Sequence, residues 1–167
     1  MQAQDPVRRP RRRRLGQGRH HRARGRGVGR GAVTFVLLDT HVLIWLMEGD
    51  PGLGPQARAL ADDALRADRL GVSAITFWET AMLAQRGRIG LAMPVAAWRR
   101  AVLDLGIAEI AVSGDIAIAA VSLDGLHGDP ADRMICATAI LRQAVLVSAD
   151  ERVIGWPGTL NRHHART

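Results

Sequence analysis

Cysteine occurs once in this chain, at Cys136, and lysine does not occur at all. A single thiol rules out an intramolecular disulfide framework and any zinc site built from several cysteines, and it fits a reducing, cytoplasmic setting. Cys136 itself sits in the helical run MICATAIL and reads as a small core residue. The missing lysine, set against abundant Arg, Ala and Gly, reflects a GC-rich coding sequence and carries nothing about the fold. No apolar run approaches the roughly 18 residues that a membrane helix needs. No internal repeat is visible, and no G-x-G-x-x-G follows the first apolar run, as a dinucleotide-binding turn would require. What is present is a chain of 167 residues, 47% hydrophobic, long enough for one domain with a real core.

The formal charge of +7 hides two regions of opposite sign. Residues 1–32 hold 11 arginines and one acid, Asp5, whereas the remaining 135 residues hold 12 arginines and 15 acids. The stretch RRPRRRRLGQGRHHRARGRGVGRG has no hydrophobic periodicity and cannot bury enough surface to offset its ordering entropy, so it is expected to be a disordered extension. Two readings of it stand. It is a nucleic-acid-binding arm, or it results from a start codon placed too far upstream, with Val33 at the head of VTFVLLDT as the true start. A transit peptide fits less well, because serines and an amphipathic pattern are missing.

The body alternates between short apolar runs and helical patterns. Strands are predicted over 34–38, 70–74, 108–112 and 144–147, and helices over 41–47, 56–69, 77–85, 95–105, 115–121 and 131–143. This alternation predicts an α/β fold, with a central parallel sheet of four or five strands flanked by helices. Trp156-Pro157-Gly158 closes the domain, which is placed at 33–156 with a polar C-terminal tail over 157–167.

Acids recur where strands end and helices begin. Asp39 follows FVLL and Asp150 follows AVLVS, each at the carboxyl end of a strand, the edge where open parallel sheets bind ligands. Asp39 also suits a helix N-cap, and Asp150 a turn. Glu79 lies in TFWE, where Thr76 and Glu79 have capping-box spacing. In HGDPADR, Asp129 is a good N-cap with Pro130 at the first helical position, which leaves Asp132 only partly explained by the helix dipole. Asp132 is thus the preferred metal-facing group, with Asp129 as its neighbour. Arg133 pairs with a neighbouring acid or contacts a phosphate. His41 and His127 are too isolated to argue a metal site, and the four tryptophans read as packing residues.

Each acid alone has an ordinary explanation; together, with the basic residues expected elsewhere, they do not. Two like charges 4 Å apart repel by about 4 kcal/mol at an effective dielectric of 20, and a divalent cation relieves that. Mg²⁺ takes hard oxygen ligands and bridges carboxylates to phosphate, which makes a metal-dependent phosphodiesterase the reading that uses all of these acids.

The segments LLDTHVLIWLMEGD, VSAITFWETAML, HGDPADRMICATAI and VLVSADERV, in this order and spacing, resemble the PIN-domain ribonucleases, specifically the VapC-type toxins of toxin–antitoxin systems. The resemblance covers about residues 33–156. It implies a Rossmann-like domain with a catalytic set of Asp39, Glu79, Asp129, Asp132 and Asp150. Asp39 and Asp132 would hold Mg²⁺, with Mn²⁺ as a substitute. It further implies hydrolysis of single-stranded RNA by metal-activated water, a homodimer, and inhibition by a cognate antitoxin. Two other classes remain as alternatives: a catalytically inactive PIN module that binds RNA or a partner, and a dinucleotide-binding domain. An idle site has no physical reason to keep repelling charges, and acids at the first strand end would repel a pyrophosphate.

Overall fold

The apolar run VLL forms strand β1 (Val36–Leu38), buried on both faces. The computed structural model describes residues 34–167. The expected disorder of 1–32 and the start at Val33 concern residues outside that range. After β1 come α1 (Thr40–Glu48), α2 (Pro55–Arg66), β2 (Leu70–Ser73), α3 (Ile75–Gln85), α4 (Val95–Asp104) and β3 (Ala108–Ile110). Then follow α5 (Gly114–Val121), α6 (Pro130–Leu141), β4 (Val145–Ser148), α7 (Glu151–Ile154) and β5 (Arg162–His164). Several helices end where the chain turns left-handed: at Gly49 after α1, and at Asp68 and Gln143 just beyond α2 and α6.

The five strands pair parallel in the order β3-β2-β1-β4-β5. Val36 and Leu38 pack with α1 and α2 in one core layer, while Leu37 turns to the opposite layer with Ile116, Ile135 and Leu146. This period of two, apolar on both faces, is the signature of a parallel sheet covered by helices. Gly71 is required in β2, because a Cβ there would stand 2.7 Å from the Phe35 ring and 2.9 Å from the Ala108 carbonyl. Cys136 is fully buried as expected, and burial pushes its thiol up to about 12, which leaves it inert. Among the described residues, no helix is long and apolar enough to cross a membrane.

Residues 157–167 do more than the polar tail expected of them. Residues 162–164 form β5, paired in register with Leu146–Ser148 of β4. A main-chain oxygen of Thr167 then accepts the amides of Gln56 and Ala57 at 3.0 and 3.1 Å. It thereby caps α2, whose own N-cap, Gly54, has no side chain to do so.

The first strand feeds β2 and β3 on one side, and β4 lies on its other side. The chain thus reverses direction across the sheet between β1 and β4. In open α/β sheets such a switch point opens a crevice beyond the carboxyl ends of the two strands. Asp39 ends one of them and Asp150 follows the other.

Candidate active site

Asp39 leaves β1 in extended conformation and caps α1, its Oδ1 accepting the Thr40 amide at 2.6 Å. Its Oδ2 accepts the Ser148 hydroxyl at 2.6 Å, a contact between residues 109 apart in sequence. The carboxylate is buried, and burial holds its pKa above the ordinary range against the opposing pull of these two hydrogen bonds. Ser148 also accepts the Asp150 amide at 3.1 Å, so one hydroxyl ties the ends of both strands together.

Glu79 does not form the capping box that its spacing allows. Helix α3 begins earlier, at Ile75, without a side-chain cap, and Thr76 lies inside it. Instead Glu79 Oε2 accepts the Thr40 hydroxyl at 2.7 Å. Burial, and to a lesser degree the charge of Asp39, raise the Glu79 pKa. Asp129 caps α6 as its sequence suggests, accepting the Ala131 amide at 2.9 Å, with Pro130 at the first helical position. That cap turns Asp132, in the first turn of α6, into the crevice. Burial first, then the charges of Asp39, Asp129, Glu79 and Asp150, push the Asp132 carboxyl up to about 8.

Asp150 behaves oppositely. Arg152 grips both its oxygens, Nε to Oδ1 at 3.2 Å and Nη2 to Oδ2 at 2.7 Å, and this pairing lowers its pKa. The acids therefore do not stand without basic partners, as sequence alone suggested: Arg88, Arg152 and Arg166 line the same cleft, of about 460 Å³. Its remaining lining includes Asp39, Glu79, Asp129, Asp132 and Asp150, together with His41 and Trp45. The Arg166 guanidinium lies 5.7 Å from the Trp45 ring centre. Trp98 and Trp156 are core residues, whereas Trp78 is half exposed and Trp45 faces the cleft.

Two residues take roles that the sequence reading did not assign. His127, set aside as isolated, brings Nε2 to 3.4 Å from Asp132 Oδ2 and 4.0 Å from Asp150 Oδ2. The ligand atoms of His127, Asp132 and Asp150 all lie within 4.8 Å of one another, a group able to hold a metal ion. The adjoining HGDPAD run was the available signal, but only the fold brings Asp150 to it.

Arg133 meets neither an acid nor the cleft. Its guanidinium donates to five backbone carbonyls, those of Ala120, Val121, Leu123, Leu126 and His127, at 2.7–3.3 Å. It closes the end of α5 and pins the loop that carries His127 and Asp129. Arg133→Met should therefore destabilise the fold by roughly 2–4 kcal/mol, since each stranded acceptor costs about 1–3 kcal/mol. Urea unfolding would measure this; a loss below about 0.5 kcal/mol would show that the clamp carries little.

Fold and site together define a class: a parallel α/β domain with a carboxylate-floored, arginine-rimmed crevice at its switch point. The PIN domain family model matches residues 36–155. The ribonuclease VapC22 of Mycobacterium tuberculosis (strain ATCC 25618 / H37Rv) is 38% identical over 122 residues, covering 72% of this chain and 91% of that protein. Two solved structures share the fold. A toxin–antitoxin complex from Klebsiella pneumoniae has 24% identity and a TM-score of 0.52, covering 78% of this chain and 97% of that one. VapBC2 from Rickettsia felis, bound to a DNA fragment from their promoter, has 16% identity and a TM-score of 0.57, covering 77% and 97%. The chain belongs to the PIN-domain family, among the VapC-type toxins of toxin–antitoxin systems.

Proposed function

We propose that this chain is a divalent-cation-dependent endoribonuclease, the toxin of a toxin–antitoxin pair, which hydrolyses phosphodiester bonds in single-stranded regions of RNA. The observation that carries this reading is the cleft itself, with five carboxylates on its floor and three arginines among its lining residues. An acidic floor alone would repel RNA, and a basic surface alone would bind RNA without cutting it. The donor set fits a hard cation: carboxylate oxygens of Asp39 and Asp132, joined by Asp150, in surroundings that already raise the pKa of Asp39 and Asp132.

A bound Mg²⁺, or Mn²⁺ in its place, would lower the pKa of attacking water and offset charge on the phosphate oxygens. The chain's own groups set the stage for that chemistry. Ser148 and the Thr40 amide fix the Asp39 carboxylate. Thr40 anchors one oxygen of Glu79, leaving the other to orient the water. Asp129 holds the first turn of α6, and with it Asp132. Arg88, Arg152 and Arg166 pair with RNA phosphates, and Trp45 offers a face to an unstacked base. Water rather than the ribose 2′-hydroxyl is the nucleophile, so products carry 5′-phosphate and 3′-hydroxyl ends.

The protein works in the cytoplasm with an antitoxin and a second copy of itself as partners. Exposed Ile118 and Val121 on α5 and Leu141 at the end of α6 provide apolar surface for such contacts. An antitoxin arginine could pair with the acidic floor. Cleavage resides in the PIN domain, and residues 1–32 are dispensable for it. The test is cleavage of a single-stranded RNA by the purified protein. Activity should vanish with EDTA and return with Mg²⁺ or Mn²⁺, and a 2′-deoxy substitution at the cut site should leave it intact. Recovery of 2′,3′-cyclic phosphate ends would overturn the mechanism.

A further inference from the structure

His127 holds an unusual position for an imidazole. Both ring nitrogens are shielded from solvent, yet neither makes a hydrogen bond. A buried polar atom without a partner costs roughly 1–3 kcal/mol, so such a group is kept for a reason outside the apo fold. Nε2 faces Asp132 Oδ2 at 3.4 Å, without the alignment of a hydrogen bond, and Asp150 Oδ2 at 4.0 Å, contacts that are ion pairs only with the imidazole protonated. Two ligands at right angles on an ion with bonds of about 2.1 Å stand about 3 Å apart. The three atoms are thus close to the spacing at which a single cation would hold them.

The loop that presents this nitrogen is also fixed in place. Arg133 donates to the carbonyls of Leu126 and His127, at 2.7 and 3.3 Å, and Trp156 Nε1 donates to the Asp124 carbonyl at 2.9 Å. The imidazole is therefore held ready from outside the acidic cluster rather than recruited to it.

We propose that His127 is a nitrogen ligand of the cation site and biases it toward Mn²⁺ and the later first-row divalent ions over Mg²⁺. This rests on the cation-dependent reading above, but it concerns which ion is held rather than whether RNA is cut. Imidazole suits transition metals, whereas Mg²⁺ strongly prefers oxygen, so one nitrogen among the carboxylates separates the two ions.

Full-length protein titrated with Mn²⁺ or Mg²⁺ in a calorimeter should bind Mn²⁺ at least about tenfold more tightly. His127→Ala should remove most of that preference, weakening Mn²⁺ by about tenfold and Mg²⁺ by no more than about threefold. Pulsed electron paramagnetic resonance of the Mn²⁺-loaded protein should show a ¹⁴N coupling. That coupling should become a ¹⁵N coupling on histidine-selective labelling, a readout that does not depend on how the variant folds. It should survive His41→Ala, which removes the other histidine of the cleft. Mn²⁺ bound without any nitrogen coupling, or a coupling lost in His41→Ala, would overturn the proposal while leaving the cation reading intact. No binding of either ion to the unmutated protein would overturn both.

Discussion

Asp132→Asn should all but abolish RNA cleavage and at the same time make the ion-free protein more stable above neutral pH. The loss of activity should reach at least ~10²–10³-fold, the scale seen when one strong electrostatic contact to a transition state is removed. The gain in stability follows from the pKa. In the fold the Asp132 carboxyl is pushed up to about 8 from an ordinary value of 3.8, by burial and then by the neighbouring acids. The folded state therefore binds this proton more tightly than the unfolded state does. Its contribution to stability is most favourable below the unfolded pKa and declines as pH rises through the window from about 4 to 8. Asparagine carries no charge and escapes that decline. Thermal unfolding in EDTA at pH 8 should show the variant roughly 1–2 kcal/mol more stable. Asp39→Asn should also lose cleavage, with a smaller gain because Ser148 and Thr40 already stabilise its charge. Near-wild-type cleavage by either variant in Mg²⁺ would refute the assignment of the site.

The second large effect is a proton released whenever a cation binds. A carboxylate ligand must be deprotonated to coordinate, and Asp132, with its pKa at about 8, is mostly protonated at pH 7 in the ion-free fold. Binding of Mn²⁺ at pH 7 should therefore expel close to one proton, and the number should fall toward zero by about pH 10. The apparent affinity should rise about tenfold per pH unit up to pH 8 and then level off. Calorimetry in buffers of different ionisation enthalpy counts the protons directly. Uptake that is independent of pH between 6 and 9 would mean that no group with a pKa near 8, Asp132 included, gives up a proton to the ion.

The elements legible in the sequence were those whose information is local. The runs VLL, LGVS and VLVS announce buried strands, and Pro130 after Asp129 announces the start of α6. The acids after the strands could be found one by one. Strand β5 could not be: Arg162-His163-His164 is polar and only half buried, and it is a strand because β4 offers it an edge in register. Helix α7, four residues capped by Asp150, is too short to leave a periodic pattern. The capping box at Thr76 was a local signal that lost to a long-range one, since Glu79 finds the Thr40 hydroxyl across the sheet edge. Arg133 looked like an acid's partner by its neighbours in the chain, yet carbonyls at the end of α5 and in the loop that follows it took its donors.

Sequence by itself determined the alternation of strand and helix, the acids after the first and fourth strands and the family that these motifs mark, because backbone propensity, capping and hydrophobic period act over a few residues. Only the tertiary structure decided what surrounds those acids. It brought Ser148 to Asp39, Arg152 and His127 to the same floor, and Arg166 to Trp45. Charge interactions and desolvation depend on distance in space, not on separation along the chain. The grip of Arg152 on Asp150 is local, between residues two apart, but the raised pKa of Asp132 and the His127 imidazole set between Asp132 and Asp150 exist only in the folded cleft.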